Sequence, residues 1–288
     1  MTDTLAFKVA WRLLLYPALI LAAAGFVFFW IYAHPKRFLS SIEPGALGLL
    51  AEAVKLKTAD GVTLDAWFLP HKTSRKAVII CHGYPMDKGD VLRMTSFLAK
   101  DFNLLYFDFR ATGRSGGFFS TGGAREVRDV DAAVAHLRDR GLGEAIGAFG
   151  FSLGGATVLL SANPAIRARV TDAPFSDLAA QMDYIFRDFG LISKPLLFVM
   201  KGWSALVMGV NINSVSPARS AARLTTPVLI VQGDEDTQVP PGNAQLIKAA
   251  CPAAEVWLVK GGVHGGNRDS AGAEYEKRIS AFFVKALK

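Results

Sequence analysis

Eight short apolar runs punctuate the chain beyond residue 50: Val54–Lys57, Val62–Leu69, Ala77–Cys81, the run ending at Asp108, Ala145–Phe149, Arg169–Ala173, Pro227–Gln232 and Glu255–Lys260. Bounded by turn-forming residues and too short for helices, they read as strands, the most continuous of them buried on both faces. After the second run the intervening stretches carry helical spacing, as in the Val127, Val130, Val134, Leu137 stripe. Such alternation predicts an α/β fold, a mostly parallel eight-stranded sheet with helices on both faces.

Apolarity of another kind fills Leu13–Ala33, whose 21 residues hold no charge and would span about 31 Å as a helix, close to the hydrocarbon thickness of a bilayer. Trp30 and Tyr32 near one end suit an interface, and Arg12 and Lys36-Arg37 bracket the span. It reads as a transmembrane anchor. A secretory signal cleaved at Ala22-Ala23-Ala24 is the competing reading, which would leave Phe26–Tyr32 as an exposed apolar tail. Lys8 and Arg12 on one side nearly balance Lys36 and Arg37 on the other, so charge sets no orientation. The organisation expected is a tail (1–12), the anchor (13–33), a linker (34–49) and one domain (50–288), which is ample for a single core.

Candidate chemistry gathers where the apolar runs end. Ala145–Phe149 leads into Gly150-Phe151-Ser152-Leu153-Gly154-Gly155, and Ala156–Leu160 follows as a helix. Strand, sharp turn and helix are the context of a nucleophile elbow, in which a strained serine presents its Oγ at the head of the helix. Gly113-Arg114-Ser115-Gly116-Gly117 matches the same five-residue pattern, but Phe118–Gly123 after it reads as loop, so context selects Ser152 over Ser115. A serine needs a base, an acid to orient it and donors for an oxyanion. Pro227–Gln232 ends in Gly233-Asp234-Glu235-Asp236-Thr237-Gln238-Val239-Pro240, and Glu255–Lys260 is followed by His264 in a glycine-flanked loop. The chain order is serine, acid, histidine. Ala77–Cys81 runs into His82-Gly83-Tyr84-Pro85, where the backbone N–H of Tyr84 joins that of Leu153 as the expected oxyanion pair.

Together with Asp108-Phe109-Arg110, these motifs resemble those of the α/β-hydrolase superfamily of serine hydrolases over roughly residues 50–288. An apolar N-terminal segment before a compact domain resembles, more narrowly, the membrane-anchored α/β-hydrolase-domain proteins, related to the prolyl-oligopeptidase catalytic domain. The resemblance implies an α/β-hydrolase fold with Ser152 as nucleophile, His264 as general base and Asp236 as the orienting acid; Asp234 and Asp172 are the rival acids. Two positions depart from the family pattern: Gln232 stands where a histidine is usual, and Gly265-Gly266 follow His264 where an asparagine or aspartate often comes soon after. The function implied is cleavage of acyl esters, carboxylesterase- or lysophospholipase-like, through an acyl-enzyme. A thioesterase or peptidase on the same residues, or a membrane-tethered binding protein without catalysis, are the alternatives. An insert at about 177–217, unusually apolar from Leu191 to Trp203, is either a pair of core helices on the sheet or a cap that lines an acyl pocket or dips into the headgroup region.

Composition narrows the rest. The net charge of +7 comes from dispersed Lys and Arg with no basic run, so a nucleic-acid partner is not expected. A small-molecule or lipid acyl ester and a membrane are. No Cys/His cluster has metal-ligand spacing and no phosphate or dinucleotide fingerprint is present, so neither a metal nor another cofactor is expected. Cys81 and Cys251, at a strand end and a helix end, are not expected to pair. Asp108 and Arg110 read as braces, His82 as a shaper of the oxyanion turn and His136 as a helix-surface residue.

Overall fold

Along Ala77–Cys81 successive side chains point to opposite faces of the sheet and enter two separate cores. Ala77, Ile79 and Cys81 pack with Val130, Val134 and Leu137 of the helix Val127–Asp139. Val78 and Ile80 pack on the other side with Tyr275, Ile279 and Phe283 of the C-terminal helix Ala273–Ala286. A strand buried on both faces must be apolar at every position, which is why this run carries no alternation in the sequence.

The computed structural model describes the backbone from Thr2 to Lys288 and side chains from Phe7 onward. Its strands are β1 Glu52–Lys57, β2 Thr63–Leu69, β3 Ala77–Cys81, β4 Asn103–Phe107, β5 Ile146–Phe151, β6 Ile166–Asp172, β7 Val228–Gly233 and β8 Glu255–Val259. They form one sheet in the order β1-β2-β4-β3-β5-β6-β7-β8. Only β2 runs antiparallel to its neighbours β1 and β4; all other pairs are parallel. This is the α/β-hydrolase fold. Because β3 to β8 share one direction, the loops after β3, β5, β6, β7 and β8 emerge at the same edge, the usual place for a ligand site in parallel sheets. β6 begins at Ile166, earlier than its apolar run suggests, because Arg167 breaks the run while Arg169 is buried against the carbonyls of Ile166 and Ser161.

The N-terminal helix runs from Thr2 to Ala33, so residues 2–12 continue the helix and are not a separate tail; its 32 residues make it about 48 Å long. The linker that follows is fastened down. Ser120 N–H donates to Ala33 O, the Arg37 guanidinium donates to the carbonyls of Ser115 and Gly117, and Ser40 N–H donates to Asp87.

The insert folds as a helix Leu178–Ile185, a short turn of helix Arg187–Ile192, a helix Ser193–Trp203 and a terminal turn Ser204–Met208. It packs on the N-terminal helix. Phe29 and Ala33 join Phe186, Leu196, Leu197, Met200 and Met208 in a cluster to which no strand residue belongs. The insert is therefore not a pair of core helices laid on the sheet; it forms a cap over the N-terminal helix, a partner the sequence did not reveal.

Candidate active site

Ser152 sits between β5 and the elbow helix Leu153–Leu160 with φ 51° and ψ −113°. A residue with a side chain pays of order 1–3 kcal/mol for such backbone, and its surroundings must hold it there. They do so from both sides: Ser152 N–H donates to Asp172 O at 2.8 Å, and Ser152 O accepts from Ala156 N at 2.9 Å. Two of the flanking glycines answer to close approach. A Cβ on Gly150 would strike the Gly154 carbonyl, and one on Gly154 would strike the carbonyl of Cys81 at the end of β3. The turn therefore lies directly against the neighbouring strand.

His264 reaches the serine from the loop after β8. Its Nε2 lies 3.1 Å from Ser152 Oγ, and its Nδ1 lies 2.7 Å from Asp236 Oδ2. Since a carboxylate only accepts, Nδ1 carries the hydrogen and Nε2 is left as the acceptor facing the hydroxyl. Asp236 is buried, and its other oxygen accepts from Gln238 N at 2.9 Å and Val239 N at 2.8 Å. Gln232, in the position usually held by histidine, donates from Nε2 to Asp236 Oδ2 at 3.2 Å, so the replacement supports the carboxylate. Asp234 points elsewhere and accepts from Gly261 N at 2.7 Å, bracing the loop.

The two glycines after His264 leave its loop without a local brace, and the chain supplies one three residues on. Asn267 is wholly buried and donates from Nδ2 to Asp172 Oδ1 at 2.7 Å, while Tyr275 Oη donates to Asp172 Oδ2 at 2.6 Å. Asp172, a rival for the acid in the sequence, is thus a fastener: its carbonyl holds Ser152 and its carboxyl holds the histidine loop. Burial pushes its carboxyl up to about 6, with the Tyr275 and Asn267 hydrogen bonds opposing. A carboxyl raised on folding gives its full contribution to stability below its unfolded value and loses it as pH climbs through the folded one. Substituting Asp172→Asn should therefore remove a decline in stability between about pH 4 and pH 6, worth up to about 3 kcal/mol at 1.36 kcal/mol per pKa unit. Denaturant midpoints of both proteins across that range measure it; parallel curves would rule the effect out.

The amides of Tyr84, just after β3, and of Leu153, at the head of the elbow helix, make no hydrogen bond among the described residues. Both residues line the same cavity as Ser152 and His264. His82 is buried beneath this turn, accepting from Phe109 N at Nε2 (2.9 Å) and facing Gly83 O with Nδ1 (2.6 Å); burial pulls its pKa down. It is a neutral strut. Ser115, the other candidate serine, is buried, donates to Asp108 O and accepts from Asp65 N. Asp108 pairs with Lys88 at 2.7 Å and Arg110 with Asp129 and Asp60, all in the brace below the site. His136 accepts from Arg140 on the helix surface.

The cavity beside Ser152 has a volume of about 550 Å³, within the range of small-molecule sites. Its walls are mostly apolar: Phe29, Phe175, Met182, Met200, Met208 and Ile212. The cap also grips the acid loop, with Gln181 Nε2 donating to Gln238 O at 2.8 Å and Tyr184 Oη to Thr237 O at 2.9 Å. Burial lifts the Tyr84 phenol to about 12, and its hydroxyl donates to Tyr32 O at 2.8 Å. Sequence reasoning missed Asn267, Tyr275, Gln181 and the N-terminal helix residues. Only Asn267 left a signal, as the first side-chain amide after the histidine.

Such an arrangement can move a hydroxyl proton to an imidazole and hold a negative oxygen at two free amides. Comparison with known proteins points the same way. The family model for the prolyl oligopeptidase family matches residues 90–288. Among curated proteins, YqkD of Bacillus subtilis is 30% identical over 225 residues, covering 74% of this chain and 72% of its own. The α/β hydrolase domain-containing protein WAV2 of Arabidopsis thaliana is 28% identical over 263 residues, covering 85% and 82%. Among solved structures, the Pyrococcus furiosus esterase Pf2001 superposes with a TM-score of 0.75 at 26% identity, over 89% of this chain and 99% of that one.

Proposed function

From the premise that this chain belongs to the prolyl oligopeptidase family and is a serine hydrolase, we propose that it cleaves acyl esters with Ser152, His264 and Asp236 and is held at a membrane by its N-terminal helix. One observation carries the reading: an unbroken file of hydrogen bonds, Ser152 Oγ to His264 to Asp236, beside an apolar cavity with two unpaired amides. His264 Nε2 takes the Ser152 proton as Oγ bonds the acyl carbon. The tetrahedral oxyanion then accepts from the N–H groups of Tyr84 and Leu153. Its collapse breaks the ester C–O bond, and His264 returns the proton to the leaving alcohol. Water repeats the sequence on the acyl-enzyme and frees the acid. Asp236 holds the tautomer that leaves Nε2 free and stabilises the imidazolium.

An ester is favoured over a peptide because the cavity offers hydrocarbon walls to an acyl chain. The likeness to a protein described as an esterase supports this choice. Full-length protein assayed on matched esters, thioesters and dipeptides should give the highest kcat/KM on the esters. Among these, octanoate should exceed acetate by about tenfold or more, since each buried methylene contributes roughly 0.8 kcal/mol. Faster turnover of the dipeptides or thioesters would replace the ester reading with one of those chemistries.

A further inference from the structure

The cap covers the half of the N-terminal helix nearest the site. Trp203 Nε1 donates to Ala22 O at 3.1 Å, the Phe26 and Trp203 rings meet edge to face at 5.1 Å, and Phe28 contacts Phe186 and Phe189 in the same way. At Gly25 the approach is so close that a Cβ would strike Val199. One face of the helix is therefore covered from Leu21 to Ala33, about 20 Å, while Val27 and Ile31 stay exposed on another. What remains between Arg12 and the cap, Leu13–Ile20, is only about 12 Å long, well short of the roughly 30 Å of a bilayer core. The helix can cross a bilayer only if the cap enters one leaflet with it.

The outer face of the cap suits that position. Leu191 is 97% exposed, Phe198 79% and Leu206 76%, with no protein neighbour to cover them. Residues Arg187–Met208 have a mean hydropathy of 1.3, against 2.2 for Phe7–Ala33. Lys194 and Lys201 carry their charges on stems long enough to reach headgroups, and Lys194 is paired with Asp183 at 2.9 Å. On the inner side, Phe29, Tyr32 and Ala33 of the helix line the same cavity as Ser152, opposite Met200 and Met208 of the cap.

We infer that the N-terminal helix and the cap together form a leaflet-embedded wall of the substrate cavity, so that a long acyl chain of a bilayer lipid ester enters between them. The helix is then part of the binding site as well as the anchor, with Phe29 and Ala33 setting acyl-chain fit. This rests on the ester-hydrolase reading for the substrate's chemistry, whereas the position of the cap and the role of the helix stand on the packing alone.

The test uses full-length protein in phosphatidylcholine nanodiscs, with ethyl and hexadecyl fluorophosphonates as probes, because labelling reports the serine and its cavity whether or not esters are turned over. Ala33→Leu, which fills the cavity, should lower the hexadecyl-to-ethyl ratio of labelling rates by about tenfold, the scale of a misfit of one or two methylenes in an apolar pocket. Phe29→Ala should change that ratio too, and Leu19→Ala, on the uncovered helix, should leave it unchanged. In a second arm, an environment-sensitive fluorophore on Phe198→Cys or Leu206→Cys, with Cys81 and Cys251 buried and free, should be quenched by lipids spin-labelled in the acyl chain. Labelling without any change of ratio in either cavity variant overturns the binding-site role. A fluorophore that the spin-labelled lipids do not quench, whether water-exposed or covered by a second copy, overturns the embedded cap. Wild-type protein that reacts with neither probe sinks the serine assignment instead, and the quenching arm still decides the position of the cap.

Discussion

Ser152→Ala should remove covalent labelling by a fluorophosphonate and nearly all ester turnover while leaving the fold in place. The substitution removes one oxygen from a backbone already held at φ 51° by the Asp172 carbonyl and the elbow helix, and alanine carries the same Cβ. Removal of a nucleophile of this kind costs about 10⁴ to 10⁶ in kcat, the residue of activity coming from the oxyanion donors and from binding. Substrate affinity should survive, because the cavity walls are untouched. Mass spectrometry of the labelled wild-type protein is the direct check. A label found on Ser115 would falsify the assignment, although that hydroxyl is buried and committed to Asp108 O and Asp65 N.

Asp236→Asn should cost nearly as much, about 10⁴ in kcat, and for a reason visible in the hydrogen bonds. Gln238 and Val239 N–H groups both point at Oδ1, so an asparagine keeps its oxygen there and turns its NH₂ toward His264 Nδ1. That forces the imidazole hydrogen onto Nε2, the atom that must accept from Ser152. Gln232 Nε2 loses its acceptor at Oδ2 but keeps the Val239 carbonyl at 3.0 Å. The cost in stability should therefore stay near about 1 kcal/mol, the scale of one hydrogen bond, while the loss in rate dominates. Asp234→Asn, which alters only a loop brace to Gly261, should stay within a few-fold of wild type. Equal losses from the two substitutions would mean that the acid has been misidentified.

The strands were legible wherever they are buried on both faces, because an apolar run such as Val228–Val231 has no other use in a domain of this size. Chain order and glycine placement pointed to Ser152 and His264, and the family resemblance to Asp236; the three lie in one file of hydrogen bonds. What stayed hidden depends on contacts between distant segments. Asn267 and Tyr275 look like ordinary loop and helix residues until β6 brings Asp172 beneath them. Gln232 looked like a neutral departure, yet its amide reaches the carboxylate that the missing histidine would have neighboured. The apolar insert had two readings because hydropathy records that a face is covered and not by what; its partner, the helix ending at Ala33, lies about 150 residues away in sequence.

From Tyr32 to Ser40 the chain is fastened to the domain. Ser120 holds the last carbonyl of the N-terminal helix, Arg37 grips two carbonyls of the neighbouring loop, and Tyr84 is bonded to Tyr32. Here rotation of the helix about its own axis would carry Phe29, Tyr32 and Ala33 along together and redraw the outline of the chamber beside Ser152. Torque on that helix and the form of the space around the serine are, in this architecture, the same variable.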